Sequence, residues 1–279
     1  MRRLASACLA LILIAGVLTA AQCPARAESR LQENRPKGRT EEFLLNRPTN
    51  QPSDQKADEP VDHLGLSAIY SADIFQESLA VVGKPTLLTG DAAPGAVPSQ
   101  AARDALTYKP SSEVERATRQ KLLQSLLETT KTAKVQDEIR QSIKTDALWL
   151  QFYKVLKKAG FSTLNLADVT AAYYVITWQV VNSNQANASA AAIKAVRNAV
   201  SAGMLADARF AKMSDAEKQE AASVMAYMAT VAADSVNQLH STGDEDGLVH
   251  LREQVHDSIM AQGVDLDRLL LTDKGFITR

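Results

Sequence analysis

Apolar positions along this chain fall into three regimes. From Leu4 to Ala21 they run almost unbroken, and from Glu28 to about Pro60 they stand singly among polar residues. From Ser111 onward they recur at helical spacing. In this third regime Leu122, Leu123, Leu126 and Leu127 predict a first helix, opened by Ser112 with Glu115 as its capping-box partner. Ile139, Ile143, Leu148, Phe152, Val155 and Leu156 predict a second helix from near Asp137 to Ala159, stopped by Gly160. Asn165 caps a third, Leu166 to Val181, in which 12 of 16 residues are apolar and cover every face. A helix apolar all round belongs in the middle of a bundle. A fourth, alanine-rich helix spans about Gln185 to Ala202. Ser214 with Glu217 opens a fifth that reaches about Leu239, and a sixth runs from Leu248 to Ala261. Leu266, Leu269, Leu270, Leu271 and Phe276 predict a tail packed on the bundle.

Proline sharpens the division. All nine prolines lie at or before Pro110, and the residues from Ser111 to Arg279 contain none. Inside a helix proline costs about 3 kcal/mol, because it lacks a donor and clashes with the preceding turn. Before that boundary, Ala72 to Val82 predicts a short helix ended by Gly83, or else a strand docked on the domain. Gly90 to Ala101 reads as a linker. The fold class is therefore all-α: one multi-helix bundle of about six helices behind a disordered, proline-rich N-terminal arm. In residues, 1–27 read as a signal peptide, 28–102 as a largely disordered arm with the short helix at 72–82, and 103–279 as the helical bundle.

The first regime reads as an export signal. Arg2 and Arg3 precede the apolar run, and Ala25-Arg26-Ala27 supplies the small residues that a signal peptidase accepts. Both cysteines, Cys8 and Cys23, lie inside it, so the mature chain has neither disulfides nor thiolate ligands. Beyond Ala27 the chain carries 28 Lys and Arg against 32 Asp and Glu, which argues against nucleic acid and anionic membranes as partners. After cleavage no segment is expected to form a stable membrane span.

Candidate chemistry is sparse. His63, His240, His250 and His256 show no metal-ligand spacing, and a set of His240, His250 and Glu253 is outweighed by ordinary surface histidines. No metal or cofactor is expected. Glu253 and Asp257 lie one turn apart and form the weak alternative for catalysis, a carboxylate pair for acid-base work on a glycan. The competing reading is a solvated helix face balanced by Arg252 and His256. Trp149, Tyr153, Tyr174 and Trp178 form the candidate binding cluster. They line a groove for a sugar, peptide or lipid, or else they are the core of a central hairpin; burial of the third helix favours the core.

Several short runs carry a resemblance. They are Tyr108-Lys109-Pro110-Ser111, Asn165-Leu166-Ala167-Asp168 followed by Tyr173 and Trp178, the pair Gln219-Glu220, and the ending Leu271-Thr272-Asp273-Lys274-Gly275-Phe276. Over about residues 108–276 the chain resembles an uncharacterised family of exported bacterial α-helical proteins with no assigned activity. The resemblance implies fold and export and brings no catalytic residues.

Two function classes follow. The first is a non-enzymatic periplasmic or secreted binding or scaffold protein, with another envelope protein as partner. The alternative is a cell-envelope hydrolase directed at peptidoglycan through helix-borne carboxylates. The absence of a nucleophile motif favours the first. Cleavage after Ala27 predicts a mature chain beginning at Glu28. Intact mass of the exported protein checks this, and retained residues 1–27 or an acylated Cys23 would contradict it.

Overall fold

A computed structural model of the chain describes residues 70, 73–82, 97–182 and 188–279. Residues 1–27, read as an export signal, and the polar stretch 28–60 lie outside the described residues, as do most of residues 90–101, read as a linker, and residues 183–187. Among the described residues the fold is all-α apart from one small hairpin. The helices are α1 (Asp73–Val82), α2 (Gln100–Asp104), α3 (Ser112–Thr129), α4 (Ala133–Lys144), α5 (Ala147–Lys158), α6 (Leu166–Val181), α7 (Ala190–Ala206), α8 (Ala208–Lys212), α9 (Asp215–Thr242) and α10 (Glu245–Met260). A 3₁₀ turn, Leu266–Arg268, leads into strands β1 (Leu269–Thr272) and β2 (Gly275–Thr278). None of these helices is long and apolar enough to cross a membrane.

The centre is α6, as its all-round apolar pattern requires. Every residue of it except Gln179 is buried. Its first turn is capped by Asn165, whose Oδ1 accepts from Ala167 N at 3.0 Å and Asp168 N at 3.2 Å. The hydroxyls of Thr170 and Thr177, buried with it, donate to the carbonyls of Leu166 (2.8 Å) and Tyr173 (2.9 Å). Beside α6 runs α9, which also packs against α1, α3, α5 and α10. Its buried side chains include Ala221, Ala222, Ala226, Ala229 and Ala232, small enough for neighbouring backbones to approach. The expected capping box, Ser214 with Glu217, opens α9, and both reciprocal hydrogen bonds are made.

Three predicted elements are corrected. Ser111, not Ser112, caps α3: its Oγ accepts from Val114 N at 3.3 Å. The choice is made from outside the helix. The Gln219 side chain accepts from Ser111 N (2.8 Å) and donates to Ser111 O (2.9 Å), holding that residue extended. The single helix expected over 137–159 is two, α4 and α5, parted at Thr145 and Asp146. Thr145 is extended, and Asp146 bonds Arg119 of α3. Threonine and aspartate are weak helix formers, so a tertiary contact suffices to break the run. The break lets α4 lie on α3 while α5 lies on α9. The tail does pack, but as a hairpin in register Leu270↔Ile277 and Leu271↔Phe276. Trp178 Nε1 donates to Leu269 O at 3.0 Å, and the Phe276 ring lies 6.0 Å from the Trp178 ring. Gly275 lies against the α7 backbone at Ala195 and Val196, and its φ of 97°, rather than any lack of space, favours glycine there.

The short helix read at 72–82 is α1, and it is built into the core. Phe75 is fully buried, with its ring 5.4 Å from Tyr70 and 6.4 Å from Tyr173 of α6. Gln76 ties α1 to the end of α10: it donates to Ser258 Oγ at 3.4 Å and accepts from Gln262 Nε2 at 2.8 Å. Phe75→Ala should therefore destabilise the protein by about 3–5 kcal/mol, the usual cost of such a core truncation. Chemical denaturation of the variant checks this, and an unchanged midpoint would show that α1 adds nothing to the core.

Candidate functional site

The sequence-derived aromatic set does not assemble into one site. Trp149 is buried under α9, its Nε1 donating to Ser223 O at 3.1 Å and its ring 5.3 Å from Tyr227. Tyr153 is half-buried beside Phe152, and Tyr174 packs on Tyr173 at 5.4 Å. Trp178 faces the terminal hairpin. The long helix α9 is the main neighbour of α5, so the expected direct hairpin of α5 on α6 is largely replaced by contacts through α9. Over the Trp149 ring sits Arg119, 4.3 Å from its centre, with Nε bonded to Glu115 Oε1 at 2.9 Å. Glu115 also accepts from Ser223 Oγ at 2.9 Å. Burial, aided by the Glu115 charge, pushes the Tyr153 phenol up to about 12. At neutral pH it is a hydrogen-bond donor and not a base.

The runs that carry the family resemblance meet at structural joints. Lys218, buried, donates to Ala105 O at 2.9 Å, beside the grip of neighbouring Gln219 on Ser111. Asn165 Nδ2 donates to Arg103 O at 2.8 Å, and Tyr108 hydroxyl to Thr163 O at 3.0 Å. Asp168, 2% exposed, accepts from Arg197 Nε at 2.6 Å and Ser162 N at 2.7 Å. A buried carboxylate needs such partners, since an unpaired one costs several kcal/mol. These side chains fasten segments together and leave no free reactive group there.

Two surface features remain. On α3, Leu122 and Leu126 turn inward and are fully buried. Leu123 and Leu127, only half-buried, form a shallow, open apolar patch on α3 bordered by Gln120, Gln124 and Glu128. The other feature lies at the end of α10. Glu253 and Asp257 are both exposed there, and Asp257 Oδ1 is 3.2 Å from His256 Nδ1. Gly263, at φ 83°, turns the chain back after α10, a conformation that favours glycine. It brings Asp265 Oδ1 to 3.3 Å and Asp267 Oδ2 to 3.7 Å from His256 Nε2.

Among the described residues, His256, Asp265 and Asp267 are the group placed to hold a metal ion; His240, His250 and Glu253 are not so gathered. Sequence reasoning missed the grouping because its members lie nine and eleven residues apart across a turn. The glycine at 263, two residues before Asp265, was the only signal available.

A family model described as "Family of unknown function (DUF6683)" matches residues 64–279. The match begins well before Tyr108, so it takes in α1 together with the bundle. No curated protein and no solved structure matches the chain.

The imidazole of His256 yields a pH prediction. Partial burial favours its neutral form, but hydrogen bonds to Asp257 and Asp265 and the charge of Asp267 outweigh it and raise its pKa above 6.5. A raised folded value means that the ion pairs stabilise fully below the unfolded value of 6.5 and fade as pH climbs through the folded one. Melting temperature should therefore fall more steeply over that window in the wild type than in His256→Gln. Parallel slopes for the two proteins would refute the pairing.

Proposed function

The chain belongs to this family of unknown function, DUF6683, and we propose that it is an exported, non-enzymatic helical protein that binds or scaffolds another envelope protein. Export, to the periplasm or beyond the cell, rests on the leader ending at Ala25-Arg26-Ala27. The binding role rests on the apolar patch of α3. Leu123 and Leu127 pack against the core at one edge yet keep part of their apolar surface open to solvent. An apolar floor edged by amides and one carboxylate suits the side chains of a docked protein segment.

The polar chemistry points the same way. Buried polar groups such as Lys218, Gln219, Asn165 and Asp168 are taken up in joints. Glu253 and Asp257 stand exposed, whereas a general acid for glycan cleavage needs a carboxyl shielded from water.

A photo-crosslinking residue in place of Leu123 should capture a defined envelope protein in living cells, while the same residue at exposed Lys154 should not. Envelope hydrolysis should be the same for the wild type and for Glu253→Gln with Asp257→Asn. Loss of a hydrolytic activity in that double variant would replace the binding reading with the hydrolase.

A further inference from the structure

We propose that His256, Asp265 and Asp267 form a binding site for a zinc-class divalent cation at the junction of α10 and the terminal turn. Three donors from separate positions converge on one point at the surface. Two donors on a tetrahedral ion with bonds of about 2.0–2.2 Å lie about 3.3–3.6 Å apart. His256 Nε2 stands 3.3 Å from Asp265 Oδ1 and 3.7 Å from Asp267 Oδ2. All three ligand atoms lie within 4.8 Å of one another, so a small rotation of the exposed Asp267 closes the set.

The arrangement gives Nε2 more oxygen than its one proton can use. The Nε2–H of an imidazolium is one donor, yet two carboxylates face it. The opposite nitrogen, Nδ1, faces Asp257 Oδ1 at 3.2 Å. A carboxylate on the far ring nitrogen orients metal-binding histidines, because it holds the proton on that side and leaves the lone pair free on the other. When the ion binds, it replaces the Nε2 proton, which passes to solvent, and Nδ1–H keeps its bond to Asp257. Asp265 is already aligned: its Oδ1 accepts from the backbone amides of Asp267 (3.2 Å) and Arg268 (3.4 Å). The Arg268 side chain lies 4.0 Å away on the other oxygen, Oδ2, clear of the ligand atom.

The donor set selects the ion. Imidazole nitrogen suits zinc and its neighbours, whereas magnesium and calcium take oxygen shells. Three protein ligands would leave a fourth position open to water or to a group on a partner.

The test is calorimetric titration of the full chain, with Cys8→Ser and Cys23→Ser to remove thiolates, against zinc chloride in a buffer with excess magnesium. One ion per chain is expected, with affinity reduced at least about tenfold in Asp267→Asn and lost in His256→Gln. Asp267 is largely exposed, so its variant should melt like the wild type and report on the ion alone. His240→Ala and His250→Ala should bind as the wild type does. Cobalt(II) bound to the wild type should give the visible bands of a four-coordinate ion. The proposal is overturned if the wild type binds no zinc, if His256→Gln and Asp267→Asn bind it equally well, or if calcium is preferred.

Discussion

Enclosing α6 is the constraint on which the rest of this structure depends. A sixteen-residue helix with no polar face has no stable position at a surface, and it must be covered on all sides. Here α9 covers one side, α7 another, and α10 and the 3₁₀ turn before the hairpin close on it as well. The ring of Phe75 from α1 meets it through Tyr173. An apolar side chain of this size contributes roughly 1.5–3 kcal/mol when buried, so each of these contacts counts against the entropy of ordering the segment that brings it.

Burying a helix to that degree also buries its polar groups, and the fold supplies most of them with a partner, the hydroxyls of Tyr173 and Tyr174 being left without one. Thr170 and Thr177 return their hydroxyls to the helix's own carbonyls. Asp168 is matched by Arg197 from α7 and by the amide of Ser162. Asn165 does two jobs, capping α6 through its oxygen and holding Arg103 O through its amide nitrogen. The segment before α3 is thereby tied to both long helices, since Lys218 and Gln219 of α9 hold Ala105 and Ser111. Asn165, Asp168 and Gln219 are thus residues that set helix placement.

With the interior committed to packing, chemistry is left to the periphery. The apolar patch on α3 and the His256 cluster lie on different helices, and neither draws on the central aromatics. Trp149, Tyr174 and Trp178 are anchors of the core, with both indole nitrogens bonded to backbone carbonyls. Substitution at either surface feature should therefore leave the bundle undisturbed.

The sequence alone determined the helical class, the bounds of α6, the capping box of α9 and the packing of the tail, because each rests on local spacing or on a side chain reaching its own helix's backbone. The apolar stretch around Phe75 was legible as a short helix or a docked strand, and only tertiary packing decided for a helix in the core, since nothing local says which surface so short a segment will meet. Tertiary contacts decided the rest. Gln219, 108 residues away, chose Ser111 over Ser112 as the cap of α3. Asp146, drawn to Arg119, helped part α4 from α5. Edge contacts with Trp178 and α7 favoured a hairpin where leucine spacing gave only a packed tail. The gathering of His256 with Asp265 and Asp267 depends on how the chain turns at Gly263, a geometry that residue spacing does not encode.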